Sequence, residues 1–341
     1  MKKVLYSLIF LSSLAPAQQA DVTHSKEIIR IAFGSCSHQD NIEGQLWSEV
    51  NATNPDLWIW LGDNIYGDTT DMGIMKAKYD LQKSHPDYHK LIKSTSVIGI
   101  WDDHDYGVND GGKEFPAKDQ SKEQLFDFLG VDKNNPARKR QGAYQSYTYQ
   151  HSTGNTKVIL LDTRYFRDFL QWNNPGTYEK ESIVNPTGDI LGEKQWNWLE
   201  KQLSDPEIDF FILGSGIQVI PEEHRWEKWS NFPQAKTRLL EMIKTTTKAP
   251  LVILSGDRHL SEVSKLDLDG YDYPLYEFTS SSLNAPTEPS PENNEFRIKD
   301  KIHVQNFAVM TIIWIANNPM IQLKYYGKAN KELANYSVRF N

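Results

Sequence analysis

Side chains that bind metals or move protons follow five short apolar segments of the chain, each at the point where the segment ends. Gly34-Ser35-Cys36 follows the first segment, and Gly62-Asp63-Asn64-Ile65-Tyr66-Gly67-Asp68 follows the second. The other three are followed by Asp102-Asp103-His104-Asp105, Asp162-Thr163-Arg164 and Ser255-Gly256-Asp257-Arg258-His259. A single carboxylate after a strand is often only a turn former. Five such endings in one chain indicate a site.

The residue types predict a site for two cations. Carboxylate, amide oxygen and imidazole groups are ligands for hard and borderline metals. Asp63 follows a glycine in a turn, where its carboxylate can bridge two ions, and Tyr66 is near enough to reach one of them. Asp257 and His259 are two residues apart, so on an extended segment their side chains point the same way. The phenol of Tyr66 and the thiol of Cys36 suit, as anions, a trivalent metal such as iron.

The apolar segments predict strands that are buried on both faces, with helices between them. The predicted strands are Ile28–Phe33, Leu57–Leu61, Val97–Trp101, Lys157–Leu161, Asp209–Leu213, Leu251–Leu254, Leu275–Thr279, Phe307–Ile315 and Ile321–Tyr325. The predicted helices are Glu43–Ala52, Ser121–Leu129, Glu193–Leu203 and Gln234–Lys244. In open α/β sheets, ligands bind at the carboxyl ends of strands. We therefore expect one α/β domain with the polar endings at one edge.

Two of the predicted helices carry local signals. Ser121 and Gln124 have the spacing of a capping box, which would begin a helix at Ser121. Trp196, Leu199 and Leu203 recur at helical spacing, which is typical of a face packed on the core.

Composition and charge favour a folded protein that does not bind nucleic acid. Of the 341 residues, 39% are hydrophobic and 24% are charged, which is enough apolar surface for a packed core. The formal net charge is −8 and no basic block stands out, which argues against nucleic acid as a partner.

The N-terminus has the pattern of a secretory signal peptide. Met1-Lys2-Lys3 precedes an apolar run over residues 4–14, and Ala15-Pro16-Ala17 follows it. The run is too short to span a bilayer, and a buried N-terminal helix is the alternative. We expect residues 1–17 to be removed, leaving a secreted or periplasmic monomer without a membrane anchor. Its one cysteine, Cys36, has no internal disulfide partner.

The five motifs, in this order, make the chain resemble the alkaline phosphatase D (PhoD-like) family of metallophosphatases. They span residues 33–259. The resemblance implies a PhoD-like catalytic domain over residues 27–330, with a four-layer α/β fold of two mixed sheets flanked by helices. It also implies a site that holds one iron(III) and calcium. By this resemblance, the iron ligands are Cys36, Asp63, Tyr66 and His259, and the calcium ligands are Asp63, Asn109 and Asp257, with Asp103 as an alternative or additional ligand.

The resemblance further implies hydrolysis of phosphate monoesters or diesters by a metal-activated water. Two cations can clamp a phosphoester and lower the pKa of a bound water. His104 is predicted to contact a phosphate oxygen or to protonate the leaving group, or else to orient Asp103. Arg164 is predicted to contact phosphate bidentately, or else to pair with Asp162 or Asp105.

Three other functions account for parts of the pattern. A phospholipase or phosphodiesterase of the same fold would use the same metals on lipid headgroups, nucleotides or polymers. A non-catalytic phosphate- or metal-binding protein is opposed by the presence of every candidate ligand. A glycosidase would use Asp102 and Asp103 but would leave Cys36, Tyr66 and His259 without a role.

Two aromatic-rich segments are candidates for contact with a leaving group. Trp226 and Trp229 lie in one, and Trp172 and Tyr178 lie in the other. The alternative for each is packing beneath a surface loop.

Overall fold

Two mixed β-sheets form the centre of the computed structural model, which describes residues 22–24, 29–177, 180–315 and 318–340. The predicted signal peptide at residues 1–17 lies outside the described residues. Strands are numbered in chain order. The larger sheet has the order β1 (Val22–His24), β5 (Gln145–His151), β6 (Gly154–Leu160), β9 (Phe210–Ser215), β10 (Leu251–Ser255), β12 (Leu275–Ser280) and β11 (Ser261–Leu266). The smaller sheet has the order β15 (Glu332–Arg339), β14 (Asn318–Tyr326), β13 (Phe307–Ile315), β2 (Arg30–Gly34), β3 (Leu57–Leu61) and β4 (Ser96–Ile100).

Helices cover the outer faces of both sheets, and β7 (Gln171–Asn173) pairs with β8 (Glu181–Ile183) in a separate hairpin. The α-helices of the described residues are α1 (Trp47–Ala52), α2 (Met72–Ser84), α3 (Pro86–Ser94), α4 (Asp103–Tyr106), α5 (Lys118–Phe128), α6 (Pro136–Lys139), α7 (Gly192–Leu203) and α8 (Pro233–Thr246). Short 3-10 helices lie at Ile42–Gly44, Trp229–Asn231 and Lys328–Asn330. Within the described part of the chain, no helix is long and apolar enough to cross a membrane.

Alternate residues of β3 pack on opposite sides of the smaller sheet, which explains why the whole strand is apolar. Trp58 and Trp60 pack against Trp47 of α1, with ring centroids 5.0 and 5.2 Å apart. Leu61 points the other way and approaches Gly214 of β9 in the larger sheet. The smaller sheet therefore separates a helical layer from the core between the two sheets.

The larger sheet is buried on both faces in the same way. Phe210 and Ile212 of β9 belong to the core between the sheets. Phe211 belongs to a second core, where it is grouped with Trp196 of α7 and Leu239 of α8. The layers therefore run helices, sheet, sheet, helices, which confirms the predicted four-layer fold.

The observed helices confirm one of the two local sequence signals and contradict the other. The capping box predicted at Ser121 is wrong, because α5 begins at Lys118 and Ser121 is buried inside it. The stripe on α7 is confirmed, since all three of its members are buried. The helices α2 and α3 were not predicted, although Asp71 caps the first through its side chain and Pro86 opens the second.

The parallel strands of both sheets end at one edge of the molecule. In the smaller sheet, β2, β3 and β4 are parallel, and in the larger sheet β6, β9, β10 and β12 are parallel. Their carboxyl ends are joined across the two sheets, because Oγ of Ser35 donates to the carbonyl of Ser280 at 3.2 Å. Leu283 N in turn donates to the carbonyl of Ser35 at 3.1 Å. The five polar sequence endings therefore meet between the sheets.

Candidate metal centre

Seven side chains with metal-ligating atoms converge at this edge. They form three groups, in each of which the ligand atoms lie within 4.8 Å of one another. Asp63 belongs to two of the groups and so does Asp103, so the three groups are continuous. The groups contain five of the predicted ligands, together with Asp102 and with His104, which was predicted as a catalytic residue. The groups are Cys36, Asp63 and His259; Asp63, Asp103 and His104; and Asp102, Asp103 and Asp257.

The thiol of Cys36 is fully buried against acceptors. Its Sγ donates to Oδ2 of Asp63 at 3.3 Å and lies 3.2 Å from Oγ of Ser281. Burial, reinforced by the charge of Asp257, raises the pKa of Cys36 to about 12, although the hydrogen bond with Ser281 lowers it. A thiolate at this position therefore requires a cation beside it, as expected of a metal ligand.

Tyr66 and His259 face each other beside the thiol. The hydroxyl of Tyr66 lies 3.1 Å from Nε2 of His259, and Nδ1 of His259 lies 2.6 Å from the carbonyl of Ala285. A carbonyl only accepts, so Nδ1 carries the proton and Nε2 presents its lone pair toward the site. Histidines that bind metals are usually held by such a hydrogen bond at the other ring nitrogen.

Four of the candidate ligands have left-handed backbone conformations, which non-glycine residues seldom adopt. The φ angles are +57° at Cys36, +49° at Asp63, +68° at Asp257 and +54° at His259. The extended conformation predicted for Asp257 and His259 is therefore wrong. Their side chains nevertheless enter neighbouring groups of the centre, as a pair that serves two adjacent cations would. Strained backbone of this kind clusters at functional sites.

Gly62 allows the ends of β3 and β4 to approach each other. It has a φ of +97°, and a Cβ atom there would overlap the Cβ of Asp102. Because Gly62 has no side chain, the backbone at Asp63 can lie next to Asp102.

Asp105 ties these two strand ends together. Its Oδ1 accepts from the backbone N of Asp102 at 2.7 Å and from that of Asp63 at 3.2 Å. Its Oδ2 accepts from Nδ2 of Asn64 at 2.6 Å. Asp105 thus positions the ligand-bearing turns rather than presenting a ligand atom of its own, a role that the sequence analysis did not assign.

Arg164 is buried among carboxylates and does not reach an open surface. Its Nε donates to Oδ1 of Asp102 at 2.6 Å, and its Nη1 donates to Oε2 of Glu227 at 2.6 Å. The structure favours the ion-pair alternative for Arg164, but neither partner is the Asp162 or Asp105 that we named. Arg164 therefore holds Asp102 in place, while its Nη2 lies 3.9 Å from Oδ1 of Asp103.

Some buried oxygen atoms in this region have no hydrogen-bond partner in the described residues. Among them are Oδ2 of Asp102 and Oδ1 of Asn64. Both are acceptors, and buried acceptors in folded proteins are rarely left unsatisfied. Carboxylate and amide oxygens are ligands of hard cations, so the residues present fit a metal centre.

His104 lies at the exposed side of the centre, with 18% of its side chain accessible. Its Nδ1 lies 2.9 Å from both carboxylate oxygens of Asp68. Burial opposes protonation, but Asp103, Asp63 and Asp68 together raise the pKa of His104 to about 11. For Asp103 the burial cost is outweighed by Arg164 and His104, so its pKa is lowered.

Asn109 is not part of the buried cluster. It is exposed, and its Nδ2 donates to the carboxylate of Asp110 at 2.5 Å. Asp103 instead takes the position near Asp257, and its Oδ2 accepts from the backbone N of Asp110 at 2.7 Å. Asn109 lines a neighbouring groove of about 750 Å³ together with Asp68, Phe169 and Trp172.

The aromatic residues proposed to contact a leaving group have different surroundings. Trp229 is fully buried, and its Nε1 donates to Oγ of Ser215 at 3.1 Å, which confirms the packing alternative. Trp226 and Trp172 are partly exposed, with Nζ of Lys180 lying 5.5 and 4.3 Å from their ring centroids. Tyr178 lies outside the described residues.

Comparisons with known proteins identify a family for this chain. The sequence model of the PhoD-like phosphatase family matches residues 31–340. The alkaline phosphatase D of Bacillus subtilis (strain 168) is 24% identical over 316 residues, covering 79% of this chain and 50% of that protein. The chain thus spans about half the length of this curated relative.

Solved structures show the same fold. A structure of PhoD superposes with a TM-score of 0.72 and 17% identity, covering 96% of this chain and 72% of the other. The purple acid phosphatase PPD1 from yellow lupin (Lupinus luteus) seeds gives a TM-score of 0.60 and 11% identity, covering 93% of this chain and 54% of the other. Because the family match extends over nearly the whole chain, this protein belongs to the PhoD-like phosphatase family.

Proposed function

We propose that this chain is a metal-dependent phosphoesterase that hydrolyses phosphate monoesters or diesters at the candidate metal centre. The observation that carries the proposal is that Asp63 and Asp103 are each shared between two groups of ligand atoms. One carboxylate can bind two neighbouring cations, so shared carboxylates are typical of a binuclear site. Bound cations would draw charge from a phosphate group and acidify a water molecule.

We assign each ion to the ligands whose chemistry suits it. Iron(III) would be held by the anionic, polarisable set of Cys36, Asp63, Tyr66 and His259. Calcium, which takes oxygen ligands, would be held by Asp63, Asp102, Asp103 and Asp257. This assignment prefers Asp103 to Asn109, because Asp103 is buried in the acidic group whereas Asn109 is exposed.

We assign His104 as the proton donor to the leaving group. Asp68 holds its Nδ1, which leaves Nε2 as the nitrogen that can donate to a substrate oxygen. The groove beside Asp68 and Asn109 opens next to this ring and would receive the leaving group. Arg164 keeps Asp102 and Asp103 in position and does not need to touch the substrate.

Turnover of two nitrophenyl esters by the purified, metal-loaded chain tests the proposal. A monoester and a bis(nitrophenyl) diester should both be substrates, and the faster one identifies the preferred class. His104→Ala should lower kcat by about 10²-fold or more for an alkyl phosphate ester, whose alkoxide leaving group needs a proton, and by less for the nitrophenyl esters, whose leaving group is stable as an anion. His89→Ala, on the exposed face of α3, is the matched control and should leave kcat unchanged. A wild-type chain that binds phosphate but hydrolyses neither ester would instead be a non-catalytic binding protein.

We also propose that residues 1–17 direct export and that the mature chain is a monomer. The N-terminal sequence of protein recovered from the periplasm or medium should begin near residue 18, and light scattering should give the mass of one chain. Recovered protein that still begins at Met1 would contradict cleavage of the export signal. A mass of two chains would contradict the monomer.

A further inference from the structure

Three buried basic side chains and a fourth that is partly buried lie together beside the candidate metal centre. We call His224, Lys228, Arg258 and Arg297 the basic cluster. The first three are 2%, 6% and 4% exposed, and 16% of the Arg297 side chain is accessible. Arg258 and Arg297 both bind Glu292, the first through its carboxylate and the second through its carbonyl at 3.1 Å. The three cations are near enough to His224 that they reinforce burial in lowering its pKa.

The cluster is joined to the metal centre through the chain at two points. Arg258 directly follows Asp257, a member of the acidic group. Lys228 directly follows Glu227, which accepts from Arg164. The basic cluster and the metal centre are therefore adjacent along the backbone at both points.

Lys228 is buried without a directly bound carboxylate, although the more distant Glu181 and Glu292 attract its charge. Its Nζ donates to the carbonyl of Trp226 at 3.1 Å and to Oγ of Ser182 at 3.5 Å, and the described residues place no carboxylate within ion-pair distance. The neighbouring Lys236 shows the usual arrangement, with Glu222 bound at 2.6 Å. Buried charges are normally paired, so the unpaired one indicates a missing anion.

Several hydrogen-bonding atoms of the cluster also have no partner in the described parts of the chain. These are Nε of Arg258, Nη2 of Arg297 and both ring nitrogens of His224. The arginine atoms can only donate, and a neutral imidazole always has one N–H to donate. Donors from three separate segments thus lack acceptors in the same place. Water would satisfy the hydrogen bonds but would not balance the charge of Lys228.

We propose that the basic cluster binds a second anionic group of the substrate, a phosphate or a carboxylate a short distance from the ester that is cleaved. The assignment of this anionic group to a substrate rests on the proposed phosphoesterase function, whereas anion binding by the cluster does not. The preferred substrates are then esters with at least two negative groups. Simple nitrophenyl esters would use only part of the binding surface.

Phosphate binding tests the site directly. Calorimetric titration of the full, metal-loaded chain with inorganic phosphate should show two binding sites. Lys228→Met should remove one of them, and so should His224→Leu, a change that introduces no charge. Lys324→Met is the control, because this partly exposed lysine pairs with Glu332 on the outer strands, and its loss should leave both sites intact. A single phosphate site in the wild type, or two sites in both variants of the cluster, would overturn the proposal.

Kinetics tests the connection to the substrate. The kcat/KM for a nitrophenyl phosphodiester with a terminal phosphate or carboxylate should exceed that of its uncharged analogue. In Lys228→Met that preference should fall about tenfold or more, as for a lost charged hydrogen bond. If the phosphate-tailed ester alone shows the preference, the second group is a phosphate. Equal preferences in wild type and variant would overturn the inference.

The two proposals can fail separately. Two phosphate sites without turnover of any ester would contradict the phosphoesterase function and leave the anion site standing. Normal turnover with one phosphate site would contradict the anion site alone. Melting temperatures check folding, and the loss of an unpaired buried charge should leave Lys228→Met at least as stable as the wild type.

Discussion

Nε of Arg164 donates to one oxygen of Asp102 at 2.6 Å, while the other oxygen of the same carboxylate has no hydrogen-bond partner in the described residues. The ion pair therefore fixes the rotamer of Asp102 and leaves one buried acceptor for a ligand. It also connects the ending of β6 in one sheet to the ending of β4 in the other. The metal centre thus depends on a residue that itself need not bind metal.

Replacing Arg164 should destabilise the fold strongly. Arg164→Met leaves Asp102 buried without a counter-ion, while Glu227 keeps Arg167, and breaking such a buried pair typically costs about 3–5 kcal/mol. The free energy of unfolding in urea at pH 7 measures the loss. Arg238→Met is the control, because it breaks the exposed ion pair with Glu193 and should cost less than about 1 kcal/mol. Equal losses in the two variants would contradict the role given to Arg164.

Replacing Cys36 should remove one metal selectively. Cys36→Ala deletes the thiol that lies between Asp63 and Ser281, and carboxylates around Asp257 are unchanged. Elemental analysis of protein from cells supplied with iron and calcium should show iron strongly reduced and calcium retained. Full iron content with normal turnover would exclude Cys36 from the centre.

The iron-loaded protein should be coloured. Phenolate or thiolate bound to iron(III) gives a visible charge-transfer band, and Tyr66→Phe should weaken or shift it. Tyr79→Phe is the matched control, because this buried phenol donates to Asp105 at 3.3 Å and belongs to none of the three groups. A colourless wild type with a full complement of iron would contradict ligation by Tyr66 and Cys36.

The stability difference between Lys228→Met and the wild type should depend on pH. Burial, together with the charge of Arg258, lowers the pKa of Lys228 from 10.5 to about 8. Between these values the unfolded chain binds more protons, so wild-type stability rises with pH through this window. Below pH 8 the variant should be more stable by about 3 kcal/mol.

The advantage of the variant should vanish as the pH approaches 10.5. Urea unfolding of both proteins at pH 7, 8, 9 and 10 measures this trend, with Lys324→Met as the control for a surface lysine. A difference that does not change with pH would show that Lys228 is not held in an unfavourable charged state.

Much of the fold could be predicted because its strands are apolar on both faces. The predicted bounds of β3 and β13, Leu57–Leu61 and Phe307–Ile315, are those observed. Helix α2 could not be predicted from periodicity, because its buried side chains are few and include Gln82. Strand β5 alternates tyrosines with polar residues, so its apolar content is too low to predict a strand buried on both faces.

The sequence indicated which residues could form the candidate metal centre better than it indicated their geometry. Strand endings indicated Cys36, Asp63 and His259, which the structure brings together. Nothing local distinguishes Asp102 from Asp103, because their roles depend on Arg164, which lies about sixty residues later in the sequence. Nor does spacing reveal that Asn109 turns to the surface.

The left-handed backbone at Cys36, Asp63, Asp257 and His259 limits what protein design can borrow from this molecule. A graft that copies only the side-chain types onto regular strands or helices would point them in different directions. Each of the four positions also disfavours β-branched replacements, so random mutagenesis should tolerate few substitutions even where no ligand atom is required. The transferable unit is the set of strand-to-turn segments with their glycines, rather than the ligands alone.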